Sequence, residues 1–81
     1  MFEKNDTASK VITIVAETLN IEKDTISPES TFEGLGADSL DRLEIIMKLE
    51  ETFGIDITDE QEANINSIQQ AIDAIHDLRN K

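Results

Sequence analysis

The sequence has 81 residues, of which 18 are acidic and 7 are basic, so its formal net charge is −11. This charge argues against binding to nucleic acids or anionic membranes, which both need clustered Lys and Arg, and the lack of cysteine excludes disulfides, thiol catalysis and zinc–thiolate sites. Because no apolar run approaches the roughly 20 residues that span a bilayer, and residues 1–10 are too polar for a signal peptide, we expect one soluble, cytoplasmic domain over residues 1–81 without membrane insertion.

The first predicted helix covers about residues 6–19. Asp6 or Thr7 is a suitable N-cap, and Asn20 can end the helix in a left-handed conformation. Five apolar residues recur at helical spacing and predict one face packed on a core: Ala8, Val11, Ile12, Val15 and Leu19.

A long connection, residues 21–38, leads to the second helix. Pro28 keeps Ser27 out of the helical conformation, which marks a turn. Loops of this length are usually either functional or disordered. Gly34 and Gly36 give the backbone freedom just before the next helix. Four spaced apolar residues predict a loop that lies over the core: Ile21, Ile26, Phe32 and Leu35.

The second predicted helix covers residues 39–53 and carries two apolar stripes. At about 100° per residue, one stripe contains Ile45, Ile46, Leu49 and Phe53. The other contains Leu40, Leu43 and Met47. A surface helix in a small domain normally needs only one such stripe. We therefore interpret the second stripe as an exposed docking ridge; the alternative is a helix buried on two sides.

Acidic residues border the docking ridge, and we expect them to contribute charge to partner recognition. They are Asp38, Asp41, Glu44, Glu50 and Glu51. The alternative is that the acidic composition only keeps the protein in solution.

Ser39 stands at the first position of the second helix. Helix starts have free N–H groups and a positive dipole end, so a phosphate ester on Ser39 would lie in a favourable field. No His or Cys is near it in the sequence to activate the hydroxyl, so we interpret Ser39 as an attachment site, not a catalytic nucleophile. The alternative is that Asp38 simply caps the helix and Ser39 is an ordinary helical residue.

Two further helices complete the pattern. Gly54 is a suitable C-cap for the second helix, and the alternation of Ile55 and Ile57 reads as an extended loop because no second strand is available to pair with it. Capping boxes beginning at Thr58 and Ser67 then predict a short third helix over about 59–65 and a fourth over about 67–79. The fourth helix carries an apolar stripe: Ile68, Ala71, Ile72, Ile75 and Leu78.

Neither enzyme nor metal chemistry is indicated. His76, the single histidine, lies away from the apolar stripe of the fourth helix and is expected to be an exposed surface residue. The acid-rich stretch 56–61 lacks the glycine and the terminal glutamate of an EF-hand loop, so no specific metal site is predicted. A bundle this small also has little room for a hydrolytic cleft.

The run Leu35-Gly36-Ala37-Asp38-Ser39-Leu40-Asp41, followed by Glu44, Met47, Leu49-Glu50-Glu51 and Phe53, resembles the acyl carrier proteins. This resemblance implies an all-α, antiparallel four-helix bundle. It also implies that Ser39 carries 4′-phosphopantetheine, delivered from coenzyme A by a phosphopantetheinyl transferase, and that the arm holds acyl groups as thioesters.

The resemblance further implies a monomer that meets acyl-transferring or chain-elongating enzymes through their basic surface patches. Three residues depart from the common family pattern and bear on which partners it meets: Gly34, Arg42 and Ala74. A peptidyl, aminoacyl or specialised polyketide carrier is an alternative within the same class. An unmodified acidic helical adaptor is the alternative from another class.

Overall fold

The structure is a computed structural model that describes residues 3–80, so positions 1, 2 and 81 of the predicted domain lie outside the described residues. It contains four α-helices: α1 (Lys4–Leu19), α2 (Ser39–Phe53), α3 (Asp59–Ala63) and α4 (Ile68–Arg79). A short 3-10 helix, Lys23–Thr25, interrupts the first loop. Within residues 3–80 there is no β-strand, and the predicted all-α four-helix fold is confirmed.

The helix ends follow local capping rules. Asn20 (φ 57°) and Gly54 (φ 64°) end α1 and α2 in the left-handed conformation, as predicted. The hydroxyls of Thr58 and Ser67 accept hydrogen bonds from backbone N–H groups in the first turns of α3 and α4, which completes both capping boxes.

The start of α1 differs from its prediction. The helix begins at Lys4 with Glu3 as its N-cap, and that cap makes no side-chain hydrogen bond. Thr7 is fully buried, and its N–H donates to the Glu3 carbonyl. The predicted cap by Asp6 or Thr7 is therefore wrong, because Thr7 faces the interior and continues the helix.

The core lies between the three long helices, since α1 packs against α2 and α4, and α2 also contacts α4. The short helix α3 contributes no buried residue. It ends at Ala63, two residues before the predicted end, and Ile65 beyond it turns into the core. The core is made largely of branched aliphatic side chains: Val11, Ile14, Val15, Ile45, Ile46, Leu49, Ile57, Ile65, Ile68, Ile72 and Ile75.

The long loop is fastened to the start of α4 by backbone hydrogen bonds. The Phe32 N–H donates to the Asn66 carbonyl at 3.1 Å, and the Ile68 N–H donates to the Ser30 carbonyl at 2.9 Å. The Gln69 N–H donates to the Pro28 carbonyl at 3.0 Å. We call this contact between residues 28–32 and 66–69 the loop–α4 junction. Phe32 is buried beside it, so the prediction that the loop lies over the core is confirmed.

A polar cluster joins the ends of α1 and α4. The largely buried Arg79 lies over the Phe53 ring, 4.8 Å from its centroid, and its Nη1 donates to Asp6 Oδ2 and to Thr7 Oγ1, each at 3.0 Å. The hydrogen bond from Arg79 holds the pKa of Asp6 below its usual value. His76 Nδ1 lies 3.4 Å from Thr7 Oγ1 and the residue is half-buried, so the prediction of an exposed His76 is wrong. The pattern of α4 alone could not predict this contact, because Thr7 belongs to α1.

Helix α2 separates its two apolar stripes as predicted. Ile45, Ile46 and Leu49 are buried, and Phe53 packs at the edge of the core. The docking ridge is exposed: the accessible fraction is 76% for Leu40, 47% for Leu43 and 57% for Met47. The alternative of a helix buried on two sides is excluded.

This difference predicts opposite effects of the same truncation on the two stripes. Leu49→Ala removes a fully buried side chain and should lower the free energy of unfolding by about 2–5 kcal/mol. Leu43→Ala, the matched control on the ridge, should change it by less than about 0.5 kcal/mol. Urea unfolding followed by circular dichroism measures both, and equal destabilisation by the two variants would contradict the two-stripe arrangement.

Candidate functional site

Ser39 is the first residue of α2, and its side chain is exposed. A capping box formed by two carboxylates fixes this helix start: Asp38 Oδ1 accepts from the Asp41 N–H at 2.9 Å, and Asp41 Oδ2 accepts from the Asp38 N–H at 3.3 Å. The serine hydroxyl takes no part in this cap, so a group attached to it would displace no capping hydrogen bond.

The turn before Ser39 is tightly constrained. The Ala37 N–H donates to the Phe32 carbonyl at 2.9 Å, which ties the turn to the loop–α4 junction. Gly36 has a φ of 86°, a conformation that other residues rarely adopt. Gly34 donates its N–H to Thr31 Oγ1 at 2.9 Å, and a Cβ at this position would lie 2.8 Å from that oxygen. A side chain at position 34 would therefore crowd Thr31, which explains the glycine there.

Two open grooves flank Ser39. One, of about 450 Å³, lies toward the long loop and the start of α4. Its lining includes Thr31, Phe32, Ala37 and Asn66. The other, of about 290 Å³, lies toward α3 and is lined by Asp59, Glu62 and Ala63. Ser39 and Arg42 line both grooves, so the hydroxyl opens onto a surface with room for a covalently attached group.

Arg42 connects α2 to the end of α3. Its Nη2 donates to the Ile65 carbonyl at 2.7 Å and lies 3.5 Å from the Glu62 carbonyl. The guanidinium also lies over the Phe32 ring, 5.9 Å from its centroid. In the sequence Arg42 stands out only as a positive charge in an acidic helix, and its partner more than 20 residues away gives no local signal.

The acids around the docking ridge are not equivalent. Glu44 and Glu51 are exposed, and Glu44 Oε1 lies 3.8 Å from Lys48 Nζ, an exposed pair of small energetic value. Glu50 is half-buried, and its Oε2 accepts from the Ile57 N–H at 2.9 Å. Glu50 therefore holds the extended loop after α2, a structural role that the sequence pattern does not reveal.

Neither a histidine nor a cysteine lies beside Ser39, and the adjacent Asp38 carboxylate is engaged in the helix cap. The chain has no cysteine, and His76, its single histidine, contacts Thr7 at the junction of α1 and α4. No group of three metal-ligating side chains occurs among residues 3–80. In the same part of the chain no helix is long and apolar enough to cross a bilayer. The site therefore presents an exposed hydroxyl without the histidine that commonly activates a serine nucleophile.

A family model described as a phosphopantetheine attachment site matches residues 9–75. The acyl carrier protein of Chlorobium phaeobacteroides is 49% identical over 67 residues, which cover 82% of this chain and 86% of that protein. The chain belongs to the acyl carrier protein family. Members of this family are carriers and not enzymes.

Further acyl carrier proteins show the extent of the similarity. The crystal structure of the acyl carrier protein from Thermotoga maritima superposes with a TM-score of 0.81 at 27% identity and covers 95% of this chain and 91% of that one. Acyl carrier protein 1, chloroplastic, from Spinacia oleracea is 46% identical over 79 residues, and acyl carrier protein 4, chloroplastic, from Arabidopsis thaliana is 47% identical over 79 residues. These matches cover 96% of this chain but only 57% and 58% of the two plant proteins.

The geometry around Ser39 fits a phosphopantetheine group. The hydroxyl is exposed, grooves open on both sides of it, and the helix cap needs no atom of its side chain. An arginine lines both grooves and could face an attached phosphate. These features of the described residues are compatible with a bulky phosphate ester on Ser39.

Proposed function

We propose that the protein is an acyl carrier whose 4′-phosphopantetheine arm is attached to Ser39 Oγ. The observation that carries this proposal is the exposed Ser39 hydroxyl at a helix start capped by Asp38, within the region matched by the phosphopantetheine attachment family. The bound arm would supply a thiol, which this cysteine-free chain lacks, and that thiol would hold acyl groups as thioesters.

The protein's own residues have a passive part in loading the arm. Asp38 and Asp41 hold the first turn of α2 and so fix the direction in which Ser39 points. We expect the partner enzyme to remove the proton from the Ser39 hydroxyl, because the adjacent carboxylate, Asp38, is engaged in the helix cap. The coenzyme A donor and the catalytic groups are therefore brought by a phosphopantetheinyl transferase.

The partners that we propose are this transferase and acyl-transferring or chain-elongating enzymes with basic patches, met by a monomeric carrier. Support comes from the exposed docking ridge beside exposed Glu44 and Glu51, and from the net charge of −11. Opposite charges steer such encounters and speed association. Fatty-acid synthesis is the pathway best supported, because the similar proteins are named acyl carrier proteins; a polyketide or peptidyl carrier is the alternative.

The proposed location is the cytoplasm. The chain's acidity suits an aqueous compartment in which it meets other enzymes. Two plant relatives are named chloroplastic, so the interior of a chloroplast is the alternative location.

Loading of the arm tests the proposed function directly. Incubation with coenzyme A, magnesium and a phosphopantetheinyl transferase should raise the intact mass of the wild-type protein by roughly 340 Da. Ser39→Ala should remain folded, since Asp38 keeps the cap, and should gain no mass. Ser9→Ala, which removes an exposed hydroxyl on α1, is the matched control and should load normally. Loading of Ser39→Ala, or no loading of the wild type, would refute the proposal; the second result would favour the adaptor.

The proposed role of the docking ridge leads to a separate prediction about the rate of loading. Leu43→Ala and Glu44→Lys should each leave the protein folded but lower the loading efficiency (kcat/KM) about tenfold, which corresponds to about 1.4 kcal/mol of lost interaction. The effect of Glu44→Lys should shrink at high salt. Glu22→Lys, an equal charge change at an exposed loop position, is the control. If Glu22→Lys slows loading as much as Glu44→Lys does, net charge and not the ridge governs recognition.

A further inference from the structure

Arg42 lies one helical turn after Ser39, at the spacing that places two side chains on the same helix face. It is the only basic side chain among the described residues that line the two grooves beside Ser39. The other charged groups of these grooves are carboxylates: Glu33, Asp38, Asp59 and Glu62.

A phosphodiester on Ser39 would therefore enter a strongly acidic surrounding. The positive end of α2 already interacts with two carboxylates, because Asp38 and Asp41 form the capping box. Adding a further negative charge to a chain of net charge −11 costs free energy unless a cation compensates for it. Arg42 is the cation in position to do so.

The guanidinium of Arg42 has N–H groups that its hydrogen bonds to the Ile65 and Glu62 carbonyls do not use. It carries five N–H groups, and the hydrogen bonds that it makes to the Ile65 and Glu62 carbonyls both use Nη2. Within residues 3–80 it forms no ion pair with a carboxylate, whereas Lys4, Lys48 and Arg79 do. The planar fork of N–H groups in arginine matches the oxygens of a phosphate.

We propose that Arg42 is a positioning residue that binds the phosphodiester of the arm on Ser39 while Nη2 remains on the Ile65 carbonyl. The attached group would then link the start of α2 to the end of α3, the helix that contributes no buried side chain. This proposal rests on the proposed attachment to Ser39 and goes beyond it by assigning the anchor of the phosphate.

The test compares the loaded and unloaded forms of three proteins: the wild type, Arg42→Gln and the matched control Lys48→Gln. Lys48→Gln removes the same charge about two and a half turns after Ser39 on the same helix. Intact mass first establishes loading, and its failure in the wild type would refute the proposed function and not the role of Arg42. We then measure, for each protein, the change in melting temperature on loading.

Loading should change the melting temperatures of the wild type and of Lys48→Gln to the same extent. In Arg42→Gln the change on loading should be more negative by about 4 °C, the shift expected when one charge-assisted contact is lost from a domain of this size. If Arg42 only supports Ile65, the substitution lowers both forms equally and the change on loading is that of the wild type. That result would overturn the proposal.

Nuclear magnetic resonance gives an independent measurement. The phosphorus resonance of the loaded protein should shift in Arg42→Gln and stay in place in Lys48→Gln. Should Arg42→Gln fail to fold, the side-chain Nε–H resonance of Arg42 in the wild type is compared before and after loading. A shift on loading supports the phosphate contact, and an unchanged resonance contradicts it.

Discussion

The loop–α4 junction is the constraint on which the position of Ser39 depends. Hydrogen bonds between Phe32 and Asn66 and between Ile68 and Ser30 pair the long loop with the start of α4. They hold Phe32 in the core, and the Phe32 carbonyl in turn accepts the Ala37 N–H just before α2. A loop that would otherwise be mobile thus becomes part of the folded domain, because its backbone groups are satisfied there and not by water.

The molecule has two parts that differ in their share of the core: the three long helices, and the short helix α3. Three long helices share the aliphatic core, whereas α3 is held by its capping box and by the hydrogen bond from Arg42 to Ile65. Elements with few buried contacts open more readily than the core. Ser39 lies between these two parts, at a capped helix start beside the groove that faces α3.

Local patterns in the sequence predict most of this fold. The features that they fail to predict depend on contacts between residues that are far apart in the sequence. The caps at Asn20, Gly54, Thr58 and Ser67 are short-range signals, and the two stripes of α2 follow from helical periodicity. The hydrogen bonds from Arg42 to Ile65 and from Ile57 to Glu50 join separate elements, and no sequence spacing encodes them. The burial of Thr7 and the partial burial of His76 have the same cause, since the end of α4 packs against the start of α1, where Thr7 contacts both His76 and Arg79.

Hydrogen exchange of backbone amides in the unmodified wild-type protein tests the role of the loop–α4 junction most directly. The amides of Phe32, Ala37 and Ile68 should exchange slowly, with protection approaching that of Leu49 in the core of α2, because they open only when the domain unfolds. Exchange of Phe32 and Ala37 at the rate of an open loop, with Leu49 still protected, would show that Ser39 is not held by this junction.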